Sequence, residues 1–389
     1  MSMKIAAIIA EYNPFHNGHK YHIARTREAG YDRVVCIMDG HLTQRGQFSH
    51  LSKWSRARAA LMCGADAVIE LPSLFACRSA DVFARSGVAL AYAIGADALS
   101  FGSETDDIGL LKQMASIEED DTFRRVLSEG LANGESQPRA RARAMAAAMG
   151  RDDIPTGPNA ILATEYLRAL DSYSESAPVP LIIPRRQDYH SLETGPMASA
   201  SGIRAAVERG EISAAGEGIP AEAIFQLDEL AARHEIDDLY LHALRSLGSE
   251  GLKLLPDVSE GLENRMFAAA RESASLTDML AGAKCKRYTH ARLMRLAAHA
   301  ITGLTAELAY DHPEPEYIRV LGVAAGSAGI ISEISRRARL PMFTLSEMRE
   351  DPIFRFETRV TDLWALTRNS PAERRMGQEY TTKFIRVQK

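Results

Sequence analysis

Two histidines, His16 and His19, stand just past the chain's first apolar run. That run is Lys4 to Ala10, and Glu11-Tyr12-Asn13-Pro14-Phe15-His16-Asn17-Gly18-His19-Lys20 follows it. A strand that hands over to a helix presents backbone N–H groups and the positive end of the helix dipole, a natural seat for phosphate. Three residues apart on a helical turn, the two imidazoles face the same side. Both can donate to a polyphosphate as pyrophosphate departs. Gly18 lets a flat base lie against the backbone, and Lys20 adds a point charge. The expected catalytic residues are therefore His16, His19 and Lys20. A metal site would need a third His, Cys or carboxylate at ligand spacing, so none is expected here. The plain alternative is a helix start that carries two histidines.

The elements around the motif must place it at the mouth of a sheet. Lys4 to Ala10, Arg33 to Met38, Ala67 to Leu71, Ala98 to Phe101 and Val179 to Ile183 read as buried strands. Helical patterns over Gly18 to Glu28, Ser52 to Cys63 and Ala80 to Ala93 separate the first four. Continuous apolar strands alternating with helices predict an α/β fold with a doubly wound parallel sheet. Ile108 to Ala148 is helical and charge-rich, with breaks at Gly134 and Pro138. Asn159 is expected to cap a helix over Ala160 to Leu170. After Arg204 the alternation stops. Gly and Pro cluster at Gly216 to Pro220, which sets the expected domains at 1–218 and 219–389. The second is mostly helical, with a short strand pair near Ile318 to Val323 and Met342 to Thr344.

The composition narrows the class. Hydrophobic residues make up 46% and charged residues 25%, as in ordinary globular chains. A net charge of -5 excludes a wholly basic nucleic-acid coat but leaves room for a local patch. The cysteines Cys36, Cys63, Cys77 and Cys285 form no C-x-x-C pair, which suits a reducing cytoplasm. The run Ile5 to Ala10 meets Glu11 too soon for a signal peptide or a membrane span. No membrane association and no obligate protein partner are expected.

The strand–His-x-x-His–helix arrangement resembles the H-x-G-H signature of the nucleotidyltransferase superfamily. Met197-Ala198-Ser199-Ala200-Ser201-Gly202-Ile203-Arg204 resembles its second phosphate motif, with Ser201 in place of the usual Thr. The same stretch could also be an ordinary N-cap. Further stretches follow in order: Gln44-Arg45-Gly46, Asp66 to Pro72, Phe101-Gly102-Ser103-Glu104, Gly157-Pro158-Asn159, Tyr189-His190, Lys286-Arg287-Tyr288-Thr289 and Arg292. Together they resemble the bacterial tRNA(Met) cytidine acetate ligase family over nearly the whole chain. The resemblance implies that ATP, with Mg2+, and acetate give acetyl-adenylate. The acetyl group then passes to N4 of the wobble cytidine of elongator tRNA(Met).

It also implies a nucleotide pocket. Its loop comprises Ile9, Ala10, Glu11, Tyr12, Asn13, Pro14, Phe15, His16, Asn17, Gly18, His19, Lys20, Tyr21 and His22. Gly102, Asn159, Arg185, Arg186, Ser201 and Arg204 complete it. One stretch departs from the family pattern. Asp39-Gly40-His41-Leu42-Thr43-Gln44-Arg45-Gly46-Gln47 stands where the family reads Ser-Gly-Asn-Phe-Val-Gln-Arg-Gly-Glu.

Lys284, Lys286, Arg287, Arg292 and Arg295 form a basic cluster, with Tyr288 and His290 interleaved. Such a cluster suits a phosphate backbone with an aromatic for stacking, and the family resemblance favours RNA binding there. A second group, Arg374, Arg375, Lys383, Arg386 and Lys389, lies at the C-terminus. Two rival readings stand beside the ligase. One is an adenylyltransferase or synthetase for a small metabolite. The other is a nucleotide- and RNA-binding protein without catalysis.

Overall fold

A computed structural model describes residues 3–173, 176–184, 193–259, 261–327, 329–343 and 345–388. Seven strands form one sheet in the order β5-β4-β1-β2-β3-β6-β7. They are β1 (Ile5–Ala10), β2 (Arg33–Asp39), β3 (Ala67–Leu71), β4 (Ala98–Ser103), β5 (Val179–Pro184), β6 (Val320–Ala324) and β7 (Ile385–Val387). The first five run parallel. The expected doubly wound α/β arrangement is present.

Period-two alternation explains the two covered faces. Val35, Ile37, Ala67 and Ile69 point into one apolar cluster. Their neighbours Val34, Cys36, Met38 and Val68 point into the other. Helix α1 (Asn17–Glu28) follows β1, and α2 (Lys53–Met62) follows β2. From β1 the chain winds outward through β2 and β3, then returns to place β4 on the other side of β1. The reversal puts a topological switch point between β1 and β4. In open α/β sheets ligands bind outside the carboxyl ends of such strands.

The sequence boundary near 218 does not bound the sheet. β6 pairs antiparallel with β3, with an irregularity at Val68/Ile69, and β7 pairs parallel with β6. Both come from the second half of the chain. The expected strand near Ile318 to Val323 is β6. Its expected partner is reduced to one bridge, Ile318 to Met342, and Thr344 lies outside the described residues. The rest of the second half is largely helical, including Asp237–Leu252, Leu276–Ala283, His290–Thr302 and Pro352–Ala365. Among the described residues no helix is long and apolar enough to cross a membrane.

Candidate active site

The first motif forms the N-terminus of α1 at the switch point. His16 is the N-cap residue, with extended backbone angles, and is 5% exposed. Its Nδ1 accepts the Gly18 N–H at 3.0 Å. The His19 Nδ1 accepts the His16 N–H at 3.2 Å. This is a capping box in which two imidazoles take the places usually held by a hydroxyl and a carboxylate. The rings stack with centroids 3.6 Å apart. Tyr12 meets the His19 ring edge-on at 4.8 Å, and Phe15 lies 5.5 Å away.

The capping bonds assign both tautomers. A nitrogen that accepts from a backbone N–H carries no proton, so in the neutral ring the proton sits on the other nitrogen. His16 and His19 therefore each carry an Nε2–H donor. Gly18 is required by the same geometry. A Cβ there would lie 2.8 Å from His16 Cε1, so only glycine admits the folded-back ring.

Distant segments hold the loop. Gln226 bonds both backbone groups of Phe15, accepting from the N–H at 3.1 Å and donating to the carbonyl at 3.3 Å. The Asn17 side chain donates to the carbonyls of Pro196 and Glu217, and its N–H donates to the Gly218 carbonyl at 2.9 Å. Asn13 accepts the His50 N–H at 2.9 Å. His22 Nε2 lies 2.9 Å from Ser100 Oγ, which ties α1 to β4.

The second motif begins the helix Ala200–Glu208. Ser199 caps it, accepting from the Gly202 N–H at 3.0 Å. Arg204 donates to the Asn13 carbonyl at 2.5 Å and to Ser201 Oγ at 3.2 Å. The cap reading and the meeting of the two motifs hold together. Lys20 forms an ion pair with Glu222 at 2.7 Å, both partly exposed.

Gly102 occupies the carboxyl end of β4, opposite Ile183 of β5. Asn159 does not cap its helix, which corrects the expectation. The helix starts at Pro158, and the Glu104 carboxylate supplies the cap. Glu104 accepts from the Asn159 N–H at 3.1 Å, the Asn159 amide at 2.7 Å and the Ala160 N–H at 2.7 Å. A carboxylate reaches three donors at a dipole's positive end, which a shorter Asn one position inside the helix cannot do. Arg185, Arg186 and the Tyr189-His190 pair lie outside the described residues.

The departing stretch after β2 is buried and internally paired. Arg56 is fully buried and donates to Asp39 Oδ1 at 2.5 Å and to the Glu11 carbonyl at 2.5 Å. It thereby clamps the carboxyl ends of β1 and β2 together. Burial nevertheless raises the Asp39 carboxyl above its ordinary value. His41 stacks on Trp364 at 4.3 Å, donates to Thr361 and accepts the Lys53 N–H at 3.2 Å. Burial and then the Lys53 charge hold it well below the usual histidine range, so it is neutral.

Beneath it lies a buried charge network that no local pattern of residues announces. The Lys53 ammonium pairs with Glu70, Glu379 and Glu357, and Arg319 bonds Glu70 and Glu379 at 2.6 Å each. His41, Glu357 and Glu379 come close enough to hold a cation, but Lys53 already lies on both carboxylates.

The basic cluster divides. Lys284, Lys286 and Arg287 are exposed. Arg292 donates to the Asp257 carbonyl and Ser259, and Arg295 is half-buried. Tyr288 is 5% exposed, with the Arg292 guanidinium 5.2 Å from its ring centre. Its ring is packed away, which corrects the expectation that it offers a stacking surface. At the C-terminus Arg374, Arg375, Lys383 and Arg386 are exposed, and Lys389 lies outside the described residues.

A histidine-capped helix at the switch point of a parallel α/β sheet is the arrangement expected of a nucleotidyltransferase. The family description "HIGH Nucleotidyl Transferase" matches residues 3–379, and the chain belongs to this family. Within it the chain resembles one kind of enzyme throughout. It is 34% identical to the tRNA(Met) cytidine acetate ligase of Syntrophomonas wolfei, over 98% of this chain and 99% of that one. It is 30% identical to the ligase of the same name from Bacillus licheniformis, over 99% and 97%. Thermotoga maritima TmcAL bound with alpha-thio ATP superposes with a TM-score of 0.90 at 27% identity, covering both chains fully. Its apo form gives 0.92 at 28% identity, again over both full chains.

Proposed function

We propose that the chain is an ATP-dependent ligase that acetylates N4 of the wobble cytidine of elongator tRNA(Met). The observation that carries this reading is the pair of Nε2–H donors held at the N-terminus of α1. An acetate oxygen attacks the α-phosphorus of ATP. The bond to the bridging oxygen breaks, and pyrophosphate leaves with the charge that develops. Donors fixed beforehand stabilise that charge without reorganising. The mixed anhydride is reactive where free acetate is not. The cytidine N4 attacks its carbonyl carbon, the bond to the AMP oxygen breaks, and the N4 proton passes to solvent.

The nucleotide lies along the loop Ile9 to His22, with Gly102, Asn159, Ser201 and Arg204 around it. Catalytic roles fall to His16 and His19, with Lys20 adding positive charge beside the phosphates. Mg2+ would enter with the ATP phosphates rather than through a protein cage, and would add positive charge against the departing pyrophosphate beside His16, His19 and Lys20. The exposed Lys284, Lys286 and Arg287 face the RNA. The enzyme works in the cytoplasm, where acetate, ATP and tRNA meet.

The test is incubation with ATP, labelled acetate and total tRNA, followed by nucleoside analysis. Labelled N4-acetylcytidine is expected. Its absence, with the label in a small metabolite, would point to another acceptor.

A further inference from the structure

A cavity of about 390 Å³ opens beside the second phosphate motif. One wall is the helix Ala200–Glu208, through Ser201 and Arg204. Another is the stretch Gln47–His50 after β2, and the helices of the second half close the remainder. We propose that this cavity receives the base of the acceptor cytidine, swung out of the RNA chain. The proposal rests on the ligase reading and deepens it by assigning a site to the second substrate.

The cavity is placed where such a base must arrive. Arg204 belongs to its wall and also donates to the Asn13 carbonyl in the first motif. On the opposite side His290 lines the cavity and opens the helix that follows the exposed Lys284, Lys286 and Arg287. The cavity therefore lies between the nucleotide motifs and the basic run. A base leaving RNA to be modified must cross that interval.

Its size and chemistry also suit a base. Acetate is far smaller than this volume, whereas ligand pockets of roughly 300–1,000 Å³ bury whole heterocycles. The lining mixes charges of both signs. Arg204 and Arg233 stand against Glu208, Glu235 and Asp237, with the His290 imidazole on the same lining. Three carboxylates oppose a polyphosphate. A neutral base that carries an amine donor together with carbonyl and ring-nitrogen acceptors can use both sets.

One donor is held in place. The Arg233 guanidinium bonds His50 Nε2 at 2.6 Å, and burial holds that imidazole down at about 2, so it stays a neutral acceptor. Asp237 is likewise oriented, since it accepts the Leu276 N–H at 2.8 Å. Phe48 and Tyr240, with rings 6.2 Å apart, supply an apolar back wall.

The test uses the wild-type chain with ATP and an anticodon stem-loop RNA carrying 5-iodocytidine at the wobble position. Irradiation is expected to join the base to peptides spanning 47–50, 233–240 or 276–294. Adducts confined to other peptides would overturn the proposal. A second arm places bulk at the exposed rim, outside both phosphate motifs, with Thr277→Trp. This variant should keep its affinity for an ATP analogue and lose acetyl transfer by about tenfold or more. Wild-type transfer by Thr277→Trp would also overturn it. If the wild-type enzyme makes no N4-acetylcytidine, the ligase reading fails and takes this proposal with it. Acetylation with misplaced adducts removes the cavity assignment alone.

Discussion

The His16 and His19 rings stack 3.6 Å apart while each lends its Nδ1 to a backbone N–H of the same helical turn. The motif thus builds the helix start and presents donors at once. The two functions use different nitrogens, so substitution can separate them.

An Asn side chain places its amide oxygen near the position of Nδ1. His16→Asn should keep the cap and lose the Nε2–H donor. Acetyl transfer is expected to fall by about 100- to 1,000-fold, the usual effect of removing one such donor. Thermal stability should change little, whereas His16→Ala should also lose about 1 kcal/mol of capping. Single-turnover rates and melting curves on both variants check this. Equal rates in wild type and His16→Asn would reject the donor role.

Gly18→Ala tests the same geometry from the other side. The new Cβ at 2.8 Å from His16 Cε1 must displace the ring. A misplacement near 1 Å costs about 100-fold in rate. Acetate-dependent pyrophosphate release measures it, and a rate within a factor of about three of wild type contradicts the packing argument.

The buried network predicts a pH effect on stability. Burial lifts the Glu357 carboxyl from 4.5 to about 7, outweighing the lowering by Lys53. A raised carboxyl favours the folded state while protonated. That contribution is complete below 4.5 and is lost as pH rises through about 7. Glu379 is shifted the other way, to about 2 by Lys53 and Arg319 despite burial, and stays ionised above about pH 5. Between about pH 5 and 8 the melting temperature of Glu357→Gln should therefore fall less than that of wild type, by about 2–4 °C. Parallel curves would show that Glu357 does not titrate in this window.

Lys53 balances Glu70 and Glu379 in the same network. Lys53→Met leaves their charges under-compensated and should cost about 3–5 kcal/mol. Denaturant unfolding gives the number directly, and a loss under about 1 kcal/mol would mean that the carboxylates take up protons instead.

Arg287 is exposed at the basic run. Arg287→Glu should weaken tRNA binding and leave ATP-analogue binding unchanged. The slope of log affinity against log salt should also drop by about 1 for each phosphate that the protein no longer neutralises. An unchanged slope would place the RNA elsewhere.

The site was legible where its residues are contiguous. Ile5 to Lys20 shows strand, turn and helix within a few positions, and β1 to β4 read as short, mostly apolar runs. The partners were not legible, because Gln226, Arg56 and Glu104 reach their targets through the fold. Glu104 caps a helix 55 residues away, a pairing that no local signal encodes. β7 has three residues and too short a pattern to announce a strand. Tyr288 looked accessible because interleaving with basic residues says nothing about burial. In the stretch that departs from the family pattern, Arg56 pairs with Asp39 and Trp364 stacks on His41, partners that lie outside it in sequence.

The proposed mechanism centres on the His16 and His19 Nε2–H groups donating to phosphate. A crystal structure with a nonhydrolysable ATP analogue measures this most directly. Both Nε2 atoms are expected within about 2.7–3.2 Å of phosphate oxygens. A triphosphate bound elsewhere, or rings turned away from it, would contradict the mechanism.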